Sequence, residues 1–371
     1  MTKILLDGRE YLHIIELTWS YDLVDNIAYR EVNISAVNSI NFKDFLLEIR
    51  TKNRMLASVF IKDKLFLEGF IMYGDIKFSK NESGFNISFE VKDRFFPIRE
   101  SDVIRTRDSG TLQQYIANVL SELRFDSPEF INTYPRHITR ASDFIKNGDG
   151  VTSQKIKTFK RAELAEKNSH TLIAQSLNFS HNIIISNGSD TLTIEKVDLD
   201  KNPVFRIYDD VESNISYYEK AGEEEKKQTP AMIVVLNSGV SEEGKKIQDT
   251  NTAIVQPFKK GRPNYQSIFR INTATSIQNI NRNLDFYLKG MVSKSNTFNF
   301  TVPGVIFDKY GNFFQPNRYI RVFVKDIGLD EDMKILSVRG ELSGDGSVVT
   351  FNLTSKEAIN DKKNTNHKRS L

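Results

Sequence analysis

The chain has 371 residues, 39% hydrophobic and 11% aromatic, with 26 Phe and 13 Tyr against one Trp, so it is long enough and apolar enough to bury several domain-sized cores. Its 51 basic and 48 acidic residues leave a formal charge of +3, without the basic excess of a dedicated nucleic-acid binder, although a passage that nucleic acid merely crosses is compatible with it. The absence of cysteine excludes disulfides, Cys-ligated zinc, iron–sulfur clusters and thiol catalysis, and no apolar run approaches the roughly eighteen residues of a membrane span.

The N-terminal stretch MTKILLDGREYLHI carries Lys3 and then Asp7, Arg9 and Glu10, so it does not read as a signal peptide. The expectation is a chain without stable membrane insertion, made and folded in a cytoplasm. Lys3–Leu6, Asp7-Gly8 and Arg9–Ile14 together read as a hairpin, because Asp-Gly tolerates the positive φ of a tight turn. Strands are expected at Leu17–Leu23, Tyr29–Ala36, Leu46–Thr51, Ala57–Lys62, Leu65–Tyr73, Ile76–Ser79 and Gly84–Asp93. In Phe85–Val91 apolar and polar residues alternate strictly, the period of a strand with one buried face.

The pattern changes near Ser109. Thr111–Leu123 has apolar residues at helical spacing, and Ala162–Leu177 reads as a second helix. Asn182–Ser186 and Thr191–Val197 flank Asn187-Gly188, a second hairpin pattern. Strands resume at Val204–Tyr208, Ile215–Glu219 and Ala231–Leu236. Ala221–Thr229 and Ser238–Pro263 read as polar loops, the latter as a long loop or insertion, and Thr275–Met291 as a helix. The last strands are Phe298–Val302, Tyr319–Lys325, Met333–Glu341 and Ser347–Thr354, with a turn at Gly344-Asp345-Gly346. Asp361–Leu371 reads as a polar, basic tail.

Val59-Phe60-Ile61-Lys62-Asp63 recurs as Val322-Phe323-Val324-Lys325-Asp326. Each copy is followed by a long strand, a Gly-containing turn and an alternating strand ending in Lys and an acid. From Asp63 to Asp93 is 30 residues and from Asp326 to Glu357 is 31. A period this long points to two copies of one domain rather than a solenoid. The fold class expected is mostly β with α+β inserts: two similar antiparallel β-barrel domains plus small α+β domains. The boundaries read are 1–98 for the first barrel, 99–203 for an α+β insert, 204–239 with 297–358 for the second barrel, 240–296 for a loop and helix insert, and 359–371 for the tail.

The search for chemistry yields no catalytic, cofactor-binding or metal residue. His13, His137, His170, His181 and His367 have no metal-ligand spacing. No nucleophile elbow, P-loop or dinucleotide fingerprint is present. Glu223-Glu224-Glu225 with Lys226-Lys227 reads as a solvated loop. Arg161, Lys259, Lys260 and Arg262 read as surface charge, with channel lining or partner contact as the alternative.

The order of these elements resembles the baseplate hub family of phage tails: the Mu-like tail protein, the late control protein D family and the hub portion of type VI VgrG spikes. Leu65–Ile71, Asn168–Val197 and Phe298–Leu353, including Pro303-Gly304 and Arg318–Val324, carry the resemblance. Tyr310-Gly311 stands where family members often have Trp-Gly. The resemblance implies a non-enzymatic homotrimer whose six barrels form a pseudo-hexameric ring in the virion tail. Its implied partners are the tail tube protein, a spike protein and other baseplate proteins, with DNA as passing cargo. Two other readings remain open at this point, a tail-associated cell-wall hydrolase and a receptor- or carbohydrate-binding tail module.

Overall fold

The computed structural model describes most of residues 2–100, positions 121 and 173, residues 129–132, 182–196 and 202–220, strands within 232–271, and residues 297–355. The protein is mostly β. The first half contains β1 (Lys3–Leu6), β2 (His13–Val24), β3 (Ile27–Val37), helix α1 (Phe42–Lys52), β4 (Arg54–Ile61), β5 (Lys64–Met72), β6 (Lys77–Asn81), β7 (Gly84–Asp93) and the one-turn α2 (Pro97–Glu100). Then come β8 (Glu129–Asn132), β9 (Asn182–Ser186), β10 (Thr191–Lys196), β11 (Pro203–Asp209) and β12 (Tyr217–Lys220). β13 (Met232–Val240), β14 (Lys246–Ile254) and β15 (Gln266–Ile271) precede the closing series β16 (Thr297–Pro303), β17 (Tyr319–Val324), β18 (Leu329–Ser343) and β19 (Gly346–Ser355).

Alternation drives the strands. Met55, Ala57, Val59 and Ile61 of β4 are buried, as are Ile87, Phe89 and Val91 of β7, while Ser88 and Glu90 point outward. Leu46–Thr51, expected as a strand, is instead part of α1. Phe45 and Ile49, four apart, are buried, whereas Leu47 is 68% exposed, which is the periodicity of a helix face. Asp44 in the first turn and Arg50 and Lys52 in the last complement the helix dipole. A short apolar run cannot distinguish the two states by itself.

The Asp7-Gly8 turn forms, with both residues at positive φ, but the strand it starts does not pair along β2. β1 pairs antiparallel with β4 instead. Within Ser238–Pro263, expected as a loop, lies β14, which forms nine residue pairs with β13. Its polar composition hid a strand defined by backbone hydrogen bonding. β13 itself, expected among the strands of the second unit, pairs among the described strands with β14 and β15 in a separate three-stranded sheet. Of the three expected helices, Ser121 and the buried Ile173 are helical, and the rest of Thr111–Leu123 and Ala162–Leu177 and all of Thr275–Met291 lie outside the described residues, as does Ala221–Thr229.

The two halves repeat one connectivity. In the first, the antiparallel pairing order is β2-β3-β7-β5-β4, with β6 continuing β5 along β7. In the second it is β12-β16-β19-β18-β17. Matched strands follow the same chain order. The repeated pentapeptides end the matched strands β4 and β17, each entering a turn that leads to the next antiparallel strand. The copies differ in what is inserted and at their edges: helix α1 lies between β3 and β4 but no helix lies between β16 and β17, and two further differences concern strands. β13–β15 fall between β12 and β16, where the first half has only a tight turn at Asn26, and β11 runs parallel to β17 where β1 runs antiparallel to β4.

One ladder fuses the halves into a continuous sheet. Past the end of β17, the same edge of β18 pairs antiparallel with β2, from Ser337 opposite Asp22 to Leu342 opposite Leu17. Trp19 lies opposite Gly340. The Trp19 ring packs on Phe66 of the first half at 5.2 Å between centroids and on Phe313 of the second at 6.4 Å, and Phe66 meets Phe313 edge-on at 5.0 Å. Burying each ring contributes about 1.5–3 kcal/mol, and each ring pair about 0.5–1.5 kcal/mol more. One hydrophobic cluster accordingly spans both halves, from Ile4 to Leu353, beside a smaller one of Tyr21, Ala28, Ile183 and Ile185.

A Cβ at residue 340 would lie 2.1 Å from Cε2 of Trp19 and 2.4 Å from its Nε1. Gly340→Ala is therefore expected to lower stability by about 2–3 kcal/mol, at the upper end of overpacking effects. Gly344→Ala, where a Cβ meets nothing within 4 Å, serves as the matched control. Urea unfolding followed by the fluorescence of Trp19, the only tryptophan, measures both.

Candidate functional site

Two features stand out among the described residues: a junction packed between the halves, and strands with one paired edge.

The β9–β10 hairpin braces the junction through two buried polar clusters. On the first-half side, Tyr21 donates its hydroxyl to the Ser186 carbonyl at 2.5 Å, and Arg30 Nη1 donates to the Phe66 carbonyl at 2.5 Å. The Arg30 guanidinium lies 4.5 Å from the Tyr21 ring centroid and 5.1 Å from that of Phe66, so stacking holds a buried cation whose Nε has no hydrogen bond. Asp93 accepts from the backbone N–H groups of Phe95 at 2.9 Å and Arg30 at 3.4 Å. Burial pushes the Asp93 carboxyl up, opposed by those donors, the Ser186 hydroxyl and the Arg30 charge. Burial likewise raises the Tyr21 phenol to about 12, so it remains a neutral donor. Glu68 N–H donates to the Gly188 carbonyl at 2.5 Å. Gly188 has φ +78°, and a Cβ there would lie 2.1 Å from the Phe66 carbonyl oxygen, so the Asn187-Gly188 turn requires glycine for both conformation and approach.

On the second-half side, Glu195 of β10 is buried and receives both arms of Arg318, at 2.7 and 2.9 Å, and the Asn317 amide at 2.8 Å. A buried carboxylate held this way has its charge matched by a bidentate guanidinium and a third donor. Composition gave no sign of it, since the partners are 123 residues apart.

The open edges lie elsewhere. Among the described strands, β12 pairs only with β16 and β6 only with β7. On β12, Glu219 accepts from the Tyr217 hydroxyl at 2.8 Å and from Asn299 Nδ2 at 2.9 Å. Those donors hold the Glu219 carboxyl below its usual range and so keep it charged, and its acceptor role raises the Tyr217 phenol. Exposed apolar side chains include Phe78 on β6 at 45% and Tyr217 on β12 at 55%.

A groove of about 350 Å³ crosses the outer face of β2, β3 and β7, lined by Glu16, Thr18, Asn33, Ser88, Glu90 and Asp75 among others. Its side chains include carboxylates, hydroxyls and Lys77 but no nucleophile paired with a base. Among the described residues no group of His, Asp and Glu could hold a metal ion, and no described helix is long and apolar enough to cross a membrane. Of the histidines, only His13 is described, as the first residue of β2. His137, His170, His181, His367, Arg161, Glu223–Glu225, Lys259, Lys260, Arg262 and the basic tail lie outside the described residues.

Solved structures with a similar fold include phage tail proteins and a type VI secretion component. A 43 kDa tail protein of prophage MuSo2 from Shewanella oneidensis shares 16% identity at a TM-score of 0.67, over 96% of this chain and 98% of that one. The tail protein from Neisseria meningitidis MC58 shares 13% identity at 0.68, over 96% and 97%. The E. coli c3393 protein, a type VI secretion component described as similar to T4 tail proteins gp27 and gp5, shares 9% at 0.51, over 100% and 80%. The chain thus has the fold of phage tail baseplate proteins and resembles Mu-like tail proteins. More narrowly, residues 280–362 match the family model of the fourth domain of the Mu phage baseplate assembly protein GpP. A comparison with curated protein sequences gives no match.

Arg318→Ala leaves Glu195 buried without its main partner and is expected to cost about 3–5 kcal/mol. A double-mutant cycle with Glu195→Gln, read by chemical unfolding, is expected to show coupling of at least about 1.5 kcal/mol; additive losses would show that the pair does not brace the junction.

Proposed function

We propose that this chain is a structural baseplate hub of a phage tail or a related injection machine. Three copies form a pseudo-hexameric ring that joins the tail tube to a central spike and surrounds the channel through which DNA passes. The observation that carries this reading is the repeated five-strand connectivity, β2-β3-β7-β5-β4 and β12-β16-β19-β18-β17. Each repeat is read as one barrel-like unit, residues 1–98 in the first and the strands of 204–220 and 297–358 in the second. Two such units in each of three chains give six similar positions, which lets a threefold spike meet a sixfold tube.

The rigid junction supports the same reading. A ring element transmitting load between tube and spike needs its two units held at a fixed angle, and a shared core with buried polar braces supplies that. The role is non-enzymatic, with tube, spike and other baseplate proteins as partners and the virion tail as the location. Near-balanced charge suits a channel, since a strongly basic lining would hold passing DNA through its phosphates.

Mass photometry of the purified protein is expected to give three times the 42.6 kDa chain mass, and averaged electron micrographs a ring with a central opening. A dimer or tetramer would overturn the hub reading.

A further inference from the structure

The repeat allows the outer faces of the two halves to be compared rung by rung. The β6–β7 ladder ends with Asn81 opposite Gly84, and the β18–β19 ladder with Ser343 opposite Gly346. Counting from these turns, Ser88 and Glu90 of β7 correspond to Thr350 and Asn352 of β19. Their partners across the ladders extend the match. Ser35 and Asn33 of β3 correspond to Thr301 and Asn299 of β16, and Glu16 and Thr18 of β2 to Tyr217 and Glu219 of β12.

The second half satisfies most of this face internally. Tyr217 and Asn299 both donate to Glu219, at 2.8 and 2.9 Å, and the Thr301 and Thr350 hydroxyls share a hydrogen bond at 3.0 Å. Arg339, the counterpart of Lys77, lies 3.9 Å from Asp22, and Asn352 keeps its Oδ1 without a partner. In the first half the same positions do not pair with one another. Among the described residues, the side chains of Glu16, Thr18, Asn33, Ser35, Lys77 and Ser88 make no hydrogen bond or ion pair, and Glu90 reaches Lys92 at 3.8 Å.

The halves also differ in relief. β18 runs unbroken over Leu329–Ser343, whereas the matched strand of the first half is interrupted between β5 and β6 by the turn Tyr73–Asp75. Gly74 and Asp75 of that turn line the groove, so a wall stands beside the unpaired side chains. Unpaired polar groups on a flat sheet are ordinary solvated surface. Here both departures from the repeat, the missing pairs and the added wall, fall at the same groove of about 350 Å³, which lies at the lower end of small-ligand sites, roughly 300–1,000 Å³.

The lining restricts what the groove can hold. Glu16, Asp75 and Glu90 outnumber Lys77, which disfavours phosphates and other anions. Among the described residues these carboxylates do not converge as a metal ion requires. A peptide strand needs free backbone groups, but the floor is the face of a sheet whose backbone is occupied by the β2–β3 and β3–β7 ladders. What the floor offers is side chains of mixed kind. The carboxylates only accept, the Lys77 ammonium only donates, and the hydroxyls of Thr18, Ser35 and Ser88 and the Asn33 amide do both. A ligand that carries many hydroxyls, each both donor and acceptor, meets that set.

We propose that this groove binds a neutral saccharide, of mono- or disaccharide size, across β2, β3 and β7, with Glu16, Asn33, Ser88 and Glu90 as hydrogen-bonding partners and Asp75 closing one side. The site belongs to the first half alone, because the second half has spent the corresponding groups on one another. It does not rest on the ring reading.

Saturation-transfer NMR with the full chain tests this, using maltose, lactose and chitobiose as neutral probes and cellobiuronic acid as the acidic control. At least one neutral disaccharide is expected to bind, with the acidic one weaker. Glu90→Ala is expected to weaken that binding at least about tenfold, the loss of a hydrogen bond to a charged group, and Asn33→Ala about two- to tenfold. Thr350→Ala, at the counterpart of Ser88 in the second half, is expected to leave it unchanged. Urea unfolding followed by Trp19 fluorescence establishes that each variant is folded, and Asn33→Ala carries the test if Glu90→Ala is not. Absence of signal from all three neutral probes overturns the site, as does binding that survives the groove variants. Equal binding of the acidic disaccharide overturns the assignment to neutral sugars.

Discussion

The six-residue ladder between β2 and β18 determines most of what this molecule can be. It requires two backbones to approach closely beneath a tryptophan, and only glycine at position 340 leaves room for the ring. Once Trp19 is seated there, Phe66 and Phe313 close around it from opposite halves, and the two hydrophobic interiors become one. A protein built of two independent units joined by a linker would hinge; this one has its hinge axis filled by an aromatic cluster and a hydrogen-bonded sheet.

The β9–β10 hairpin then acts as a brace. It reaches the first half through Tyr21, Arg30 and the Gly188 turn, and the second through Glu195 and Arg318. Polar clusters of this kind add little net stability compared with apolar packing, but they tolerate only one geometry, because each misplacement leaves a buried donor or charge unmet. The apolar cluster supplies adhesion between the halves and the polar clusters fix their angle. Fixed angle is the property that the proposed ring would require of its subunit, since small angular errors accumulate around a closed circle.

Local elements were legible in the sequence, and the long-range design was not. The alternation in Phe85–Val91 marked β7 with both ends correct, and Asn182–Ser186 was read to the residue. The VFIKD and VFVKD segments marked the repeat, and they do end matched strands. Leu46–Thr51 failed because its apolar run fits either period, and β14 failed because polar residues concealed a ladder. No local pattern could show that β18 changes partners along its length, from β17 to β2 on the same edge. One residue did carry a signal: Gly340 lies inside a strand, where glycine often marks a close approach of another chain segment. The Glu195–Arg318 pair was hidden for a different reason, since sequence distance conceals which of many charges are buried together.

The central claim is that the halves unfold as one unit because the β2–β18 ladder and the rings behind it are part of a single core. Native-state hydrogen exchange measures this directly. Amides of Thr18–Tyr21 and Val338–Glu341 that bond across the ladder are expected to exchange only through global unfolding, with the same protection as the central rungs of β3–β7 and β18–β19. Exchange of the ladder amides at loop-like rates, while the strands within each half stay protected, would show two units that part readily and would contradict the account.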